Sequence, residues 1–481
     1  MRWNIAWHVT GLILLCVGLC MSLPLLCGVY YADGSVAPLF LSLCVTVLAG
    51  AFLMFFFRRP NPLVINHREG MVIVALAWAT CGVFGALPFV LGGFPSFTDA
   101  VFESVSGFTT TGASILSNIE ALPKGLLFWR SLTHWLGGMG IIVLTIAILP
   151  FLGVGGMQLF KAEVPGPVAD KLQPRIKDTA MTLWKVYVLF TAVQTILLLT
   201  GGMDFFDGLC HAFGTMATGG FSTRNTSVAA YDSAYIDYVI SVFMIVAGMN
   251  FALHFQLFRG RPLALWRDPE CRFFVAVIGV ITGVITVYTH GANYSSWSEA
   301  LRFSLFQVAS IITTTGFATA DYELWAPLTQ GLLLLCMFVG GCAGSTAGGI
   351  KCMRVMLLIN HAYRELFRLV HPRAVVQVKF GQKLVRDEVL NSILGFFILF
   401  VILFVLSGLA LTAMGVDVLT AFSAVVACIG NVGPGLGEVG PVDNYGGLPW
   451  LSKWVLTFCM LLGRLEIYTI LVLFIPEFWR K

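Results

Sequence analysis

The sequence predicts an all-α polytopic membrane protein, with an N-terminal two-helix hairpin plus four parallel repeats, each a pair of crossings flanking one short apolar segment. Composition, a recurrent hydrophobic pattern and the placement of charge predict it. Of 481 residues, 58% are hydrophobic and 11% charged, at a mean hydropathy of +0.86. So few charges cannot cover a soluble body of this size, and several uncharged runs approach the roughly 20 residues that a helix needs to cross a bilayer. Low-complexity disorder, nucleic-acid binding and secreted disulfide scaffolds fall away. The twelve cysteines are scattered, with no CxxC pair, and read as small packing residues.

The elements follow in order. Arg2 precedes a mostly apolar stretch through Tyr30, too long for a signal-peptide core, and a second run, Val36 to Phe57, follows a polar turn. The pair forms the hairpin (residues 1–60), ending at Arg58 and Arg59. Four units follow, 61–160, 161–262, 263–375 and 376–481, each a long apolar run, a short amphipathic one, a glycine-rich knot and another long run. The first has Met71 to Leu91, Thr98 to Phe108, the knot TTTGAS at Thr109 to Ser114, and Leu126 to Leu152. The second has Ala180 to Gly201, Phe206 to Met216, ATGGFST at Ala217 to Thr223, and Tyr235 to Phe258. The third has Phe273 to Thr289, Trp297 to Ile312, TTTGFAT at Thr313 to Thr319, and Pro327 to Asn360. The fourth has Leu390 to Met414, Val418 to Cys428, IGNVGPG at Ile429 to Gly435, and Leu451 to Phe474.

The short segments cannot cross and are too apolar for solvent loops, so they read as re-entrant helices. With the N-terminus inside and two crossings for the hairpin and for each unit, ten in all, every knot faces outside. The inner segments then hold 22 of the 29 Lys and Arg, the outer ones only Lys124, Arg130, Arg224, Arg302 and Lys453. That positive-inside bias makes the units parallel and both termini cytoplasmic.

Each knot centres on a glycine: Gly112, Gly220, Gly316 and Gly433. Irregular backbone at membrane depth is tolerated where it is buried in protein or lines a water-filled path. A dehydrated cation needs several carbonyl oxygens converging on one axis, and glycine accepts the backbone angles that turn carbonyls inward. Small residues used only for helix packing are the alternative for any single knot.

The motifs TTTGAS, GGFST, TTTGFATAD and GNVGPG resemble the Trk/Ktr/HKT superfamily of potassium translocating subunits, most closely its TrkH type, over essentially the whole chain. The resemblance implies four membrane-pore-membrane repeats in a pseudo-fourfold arrangement around one pore, no enzyme activity, no cofactor in this chain, and K⁺ as substrate. It implies a filter of Thr110, Thr111, Gly112, Ala113, Gly219, Gly220, Phe221, Thr314, Thr315, Gly316, Phe317, Asn431, Val432, Gly433 and Pro434. K⁺ would meet the backbone carbonyls of Thr111, Gly112, Gly220, Thr315, Gly316, Val432 and Gly433. In the family, glycine at position 112 goes with K⁺ selectivity and serine with Na⁺ transport. The fourth knot, with Asn431, Val432 and Pro434, departs from the threonine-rich pattern. A homodimer in the cell (inner) membrane and a separate cytosolic nucleotide-binding regulatory subunit are also implied, with membrane lipid around the chain and no nucleic-acid partner.

GGCAGSTAGGIK, Gly340 to Lys351, lacks the GK[ST] ending of a phosphate loop. It reads as an unwound break inside a membrane helix, and the resemblance implies an intramembrane gate of Gly340, Gly341, Gly344, Ser345, Thr346, Gly348 and Gly349. Close helix packing by small residues is the alternative. Arg464, in GRLE, lies mid-span, where an unpaired charge costs roughly 2.5–3.5 kcal/mol, so it faces a pore or a partner. The resemblance places it in the pore as an electrostatic barrier; an ion pair with Glu466 or another helix is the alternative. His134 and Asn250 read as interhelical hydrogen-bonding residues, and Trp129, Trp135, Trp450 and Trp454 as interfacial anchors. A Na⁺- or H⁺-coupled cation symporter is the rival function, and it would need midplane carboxylates. Glu466 is the acid that the sequence places well inside a run.

Overall fold

The computed structural model describes residues 1–57, 66–140, 176–261 and 263–480. Arg58, Arg59, the continuation of the first unit's second run to Leu152, and most of the basic segment 161–178 lie outside the described residues. So do the boundaries expected at 60/61 and 160/161.

The chain is a helical membrane protein, with one two-stranded ribbon, β1 (Lys379–Phe380) and β2 (Lys383–Leu384), among the described residues. Helices α1 (Trp3–Cys20) and α2 (Ser22–Tyr31) form the first span and α3 (Val36–Phe56) returns antiparallel to it. Gly11 and Gly50 let these backbones touch: a Cβ added at either would lie 2.8 Å from the other's carbonyl oxygen. The other faces of the hairpin leave Leu48, Phe52 and Phe55 exposed, as a helix facing hydrocarbon does. Arg2 clasps Glu69 at the start of α4 (His67–Gly85) through Nη2–Oε2 and Nε–Oε1 contacts of 2.7 and 2.9 Å. The α2–α3 turn is tied inward by Asp33, which accepts the Gly125 N–H at 2.7 Å.

After α4 and the short α5 (Leu87–Leu91) comes α6 (Phe97–Phe108), then α7 (Lys124–Trp135), which passes into a π-helical turn at Leu136–Gly140. The second unit comprises α8 (Ile176–Thr200), α9 (Phe205–Met216), α10 (Ala234–Gly248) and α11 (Phe251–Phe258), the last two meeting at 103°. Asn250 sits at that break and caps α11 by accepting the Ala252 N–H at 2.8 Å. A short α12 (Leu263–Arg267) precedes α13 (Pro269–Thr289), α14 (Trp297–Ile312), α15 (Pro327–Val339) and α16 (Cys352–Val370). The last unit holds α17 (Asp387–Ala413), α18 (Val418–Ile429) and α19 (Trp450–Arg464), beyond which the chain turns by 110° into Tyr468–Phe474.

Among the described residues, six helical stretches are long and apolar enough to cross a membrane, and the two bent pairs bring the number to eight. Of the other two expected crossings, the one from Leu126 is described only as α7 and the turn to Gly140, and the one from Pro327 to Asn360 is split between α15 and α16. One expectation is corrected here: Trp129 is no interfacial anchor. It is fully buried and donates its indole N–H to the Gly85 carbonyl at 3.0 Å, holding α7 against α4. Trp450 remains 67% exposed, and Trp135 stacks on Tyr187.

A candidate cation filter and the loop beneath it

The four short helices α6, α9, α14 and α18 have 12, 12, 16 and 12 residues. At 1.5 Å per residue they reach about 18–24 Å, short of a roughly 30 Å hydrocarbon layer. Each starts at a polar N-cap: Ser96, Asp204, Ser296 and Asp417 accept a backbone N–H of the first turn. Each ends alike. The residue after the C-cap is left-handed, Thr110 (φ 54°), Thr218 (53°), Thr314 (57°) and Asn431 (54°). The next N–H reaches back to the helix: Thr111 to Ser106 O (2.9 Å), Gly219 to Gly214 O (2.8 Å), Thr315 to Ser310 O (2.8 Å) and Val432 to Ala427 O (2.7 Å). These are Schellman closures. The glycine that follows is left-handed again, with φ of 81° at Gly112, 76° at Gly220, 82° at Gly316 and 101° at Gly433.

The four turns close on one another in a ring. A Cβ added to Gly112 would strike the Gly219 carbonyl oxygen; on Gly220, that of Thr315; on Gly316, that of Val432; on Gly433, that of Thr111. Each glycine therefore leaves room for its neighbour's carbonyl, and the order runs round to its start. Among the described residues, no hydrogen bond is donated to the carbonyls of Thr111, Gly112, Gly219, Gly220, Thr315, Gly316 or Val432. The Gly433 carbonyl differs, for it accepts the Tyr445 hydroxyl at 2.6 Å and is engaged from outside the ring. Thr218, which the sequence reading omitted, occupies the same place as Thr110, Thr314 and Asn431. The signal for it was its position two residues before the glycine. Ala113, Phe221, Phe317 and Pro434 follow the glycines, and Phe221 and Phe317 are buried.

Buried polar ties brace this ring. Glu103 on α6 accepts the Arg130 Nε–H at 2.6 Å, the Ile115 N–H at 3.0 Å and the Ser114 hydroxyl at 3.0 Å. Arg130 donates to the Ser222 carbonyl at 2.8 Å and lies 3.5 Å over the Phe221 ring. His134 also stacks on Phe221, with ring centroids 4.0 Å apart, so helix α7 of one unit supports the turn of the next. Further round, Arg302 faces Asp237 at 3.6 Å, Tyr322 donates to Gly435 O at 2.9 Å, and Lys453 meets Asp99 at 2.6 Å. Glu323, in the outer loop, accepts the Gly437 N–H at 2.6 Å; burial lifts its carboxyl above the usual range against that hydrogen bond.

Directly beneath lies the segment between α15 and α16. Its ends pair, Ile350 N–H with Phe338 O (3.1 Å), Lys351 N–H with Val339 O (3.0 Å) and Cys352 N–H with Gly341 O (2.9 Å), while Gly340, Gly344 and Gly349 take left-handed angles. The Lys351 ammonium donates to the Ala347 carbonyl. Gly348 N–H donates to the Thr314 hydroxyl at 2.7 Å, and Gly349 N–H to Gly430 O at 2.9 Å. Thr346 donates to Met216 O at 3.1 Å, and Ser345 to Cys342 O at 2.5 Å. Arg464 completes the underside: its guanidinium donates to Thr346 O at 2.9 Å, to Gly138 O at 2.7 Å and to Gly137 O. The loop and Arg464 thus touch all four units below the ring. Glu466 pairs with Arg354 at 2.5 Å. The structure also buries Glu103, Asp207, Asp237 and Glu270, which the sequence reading did not single out.

Residues 38–481 match the sequence profile of the TrkH family, described as a cation transport protein. The chain belongs to the TrkH family. It is 44% identical to the Trk system potassium uptake protein TrkH of Escherichia coli (strain K12), with both chains covered in full. Against the protein of the same name from Halomonas elongata the identity is 45%, over 98% of each chain. The crystal structure of the potassium transporter TrkH from Vibrio parahaemolyticus superposes on all of this TrkH-family chain with a TM-score of 0.90 at 40% identity. It is a multi-pass membrane transporter rather than an enzyme.

Proposed function

We propose that this chain is a potassium uptake subunit in which K⁺ passes in single file through the ring at residues 110–113, 218–221, 314–317 and 431–434. The observation that carries the reading is the cyclic packing of four left-handed turns whose carbonyls receive no hydrogen bond from the described residues. Such carbonyls replace a cation's hydration shell. Four helix C-termini converge on the same place and add negative potential. The absence of threonine hydroxyls from the Val432–Pro434 side, and the diversion of the Gly433 carbonyl to Tyr445, make the fourth quadrant the least uniform. Discrimination against Na⁺ is correspondingly incomplete.

Below the ring, the 340–351 loop and Arg464 form the gate, held closed by the contacts to Thr314, Met216, Gly430, Gly137 and Gly138. A fixed guanidinium here opposes a cation by Coulomb repulsion as well as by occupying space. The names of the relatives, potassium uptake proteins of a Trk system, support K⁺ as the transported ion. The reading extends to a homodimer in the cell membrane, with both termini cytoplasmic, controlled by a cytosolic nucleotide-binding subunit. Ion binding can be tested on the purified protein, since a ligand that binds only the folded state raises the unfolding temperature. At constant ionic strength, K⁺ and Rb⁺ should raise it more than Na⁺ or Li⁺. Equal shifts for all four would count against a selective ring.

A further inference from the structure

Glu270 lies at the second position of α13, away from the ring, and is only 4% exposed. One of its carboxylate oxygens accepts two backbone N–H groups, Ala343 at 2.7 Å and Met353 at 2.9 Å. Those donors stand on opposite arms of the 340–351 loop, one three residues before Thr346 and the other in the first turn of α16. The N-cap of α16, Lys351, has φ 83° and offers no side-chain cap, so the carboxylate of another helix serves that terminus. We propose that Glu270 is a positioning residue of the gate: it clasps both arms of the loop and keeps Thr346 beneath the ring, where Arg464 meets it. The inference rests on the gating role assigned to the loop.

The geometry favours this over simple helix capping because a cap needs only the Met353 bond. The Ala343 bond holds the arm that leads to Thr346, whose hydroxyl and carbonyl reach Met216 and Arg464. Asp268 caps α13 two residues before Glu270, accepting the Cys271 N–H at 2.8 Å, and α12 immediately precedes it.

The test is ⁸⁶Rb⁺ uptake into liposomes containing the full chain alone, for wild type, E270Q, a variant with the loop shortened between Gly340 and Gly349, and both changes together. Hydrogen bonds to a charged group are the strong class, so E270Q should raise uptake roughly tenfold. K⁺ and Na⁺ should compete as they do for wild type, and E270Q should add nothing once the loop is shortened. Wild-type uptake in folded E270Q, beside raised uptake in the shortened variant, would overturn the clasp and leave the gate standing. A further rise from E270Q on the shortened background would also overturn it, since the residue would then act elsewhere. No rise in the shortened variant would overturn the gate reading itself. If E270Q does not fold, E270D, which keeps the charge but reaches one methylene less, should give an intermediate rise; wild-type uptake in folded E270D would overturn the clasp.

Discussion

Gly112 shows how little freedom a single position of the ring has. Its φ of 81° costs an L-residue roughly 1–2 kcal/mol, and any Cβ would strike the Gly219 carbonyl oxygen. Gly112→Ser should therefore spread the first and second turns and cut the preference for K⁺ over Na⁺ by about tenfold, read as the ratio of competitor concentrations that halve ⁸⁶Rb⁺ uptake. An unchanged ratio would remove Gly112 from the filter. Arg130 and Glu103 are a different case, a buried pair whose separation strands a charge. Arg130→Met should lower stability by about 3–5 kcal/mol in thermal unfolding, and adding Glu103→Gln should recover most of it. The double variant should still discriminate poorly, because Ser222 O and the Phe221 ring have lost their support; full discrimination would make the pair purely structural. Gly112, Gly220, Gly316 and Gly433 were legible in sequence because glycine takes such angles without the cost that a Cβ imposes. Thr218 was passed over, although it stands two residues before its glycine and shares the helix closure of Thr110 and Thr314, because its knot has one threonine there where theirs have three. Arg130 was hidden too, as linear hydropathy says nothing about which side of α7 meets the neighbouring unit, whereas His134, expected to bond between helices, accepts the Phe221 N–H at 3.4 Å.

At the scale of elements, the short helices were legible almost to the residue because caps and glycines punctuate them. Thr98 to Phe108 became Phe97–Phe108, and Trp297 to Ile312 kept its bounds. The loop between α15 and α16 was legible as a glycine-rich break, while its contacts were not, because they run to Thr314, Gly430 and Met216, distant in sequence. Shortening it between Gly340 and Gly349 removes those contacts and should raise K⁺ flux in the absence of any regulator. Lower flux from a properly folded variant would mean that the segment packs helices instead. Arg464→Ala removes the donors to Thr346, Gly137 and Gly138 and should also raise flux, by roughly tenfold if the stronger charged hydrogen bonds hold the closed state. Loss of assembly would instead mark Arg464 as a structural tie.

For the whole molecule, each unit depends on its neighbours. Arg130 reaches Ser222, Arg302 faces Asp237, Tyr322 reaches Gly435 and Lys453 meets Asp99, so polar ties link successive units and return to the first. The recurrence of hydrophobic runs made most of the crossing helices legible. The circular order of the units was not, because it is set by contacts between units and sequence spacing does not encode it. The central claim is that a K⁺-selective path runs through this one chain, closed by its own loop. It is tested most directly by ⁸⁶Rb⁺ uptake into liposomes containing the loop-shortened protein alone, with K⁺ or Na⁺ as competitor. The account predicts rapid uptake that K⁺ suppresses at far lower concentration than Na⁺; uptake no faster than in empty liposomes, or equal suppression by the two ions, would contradict it.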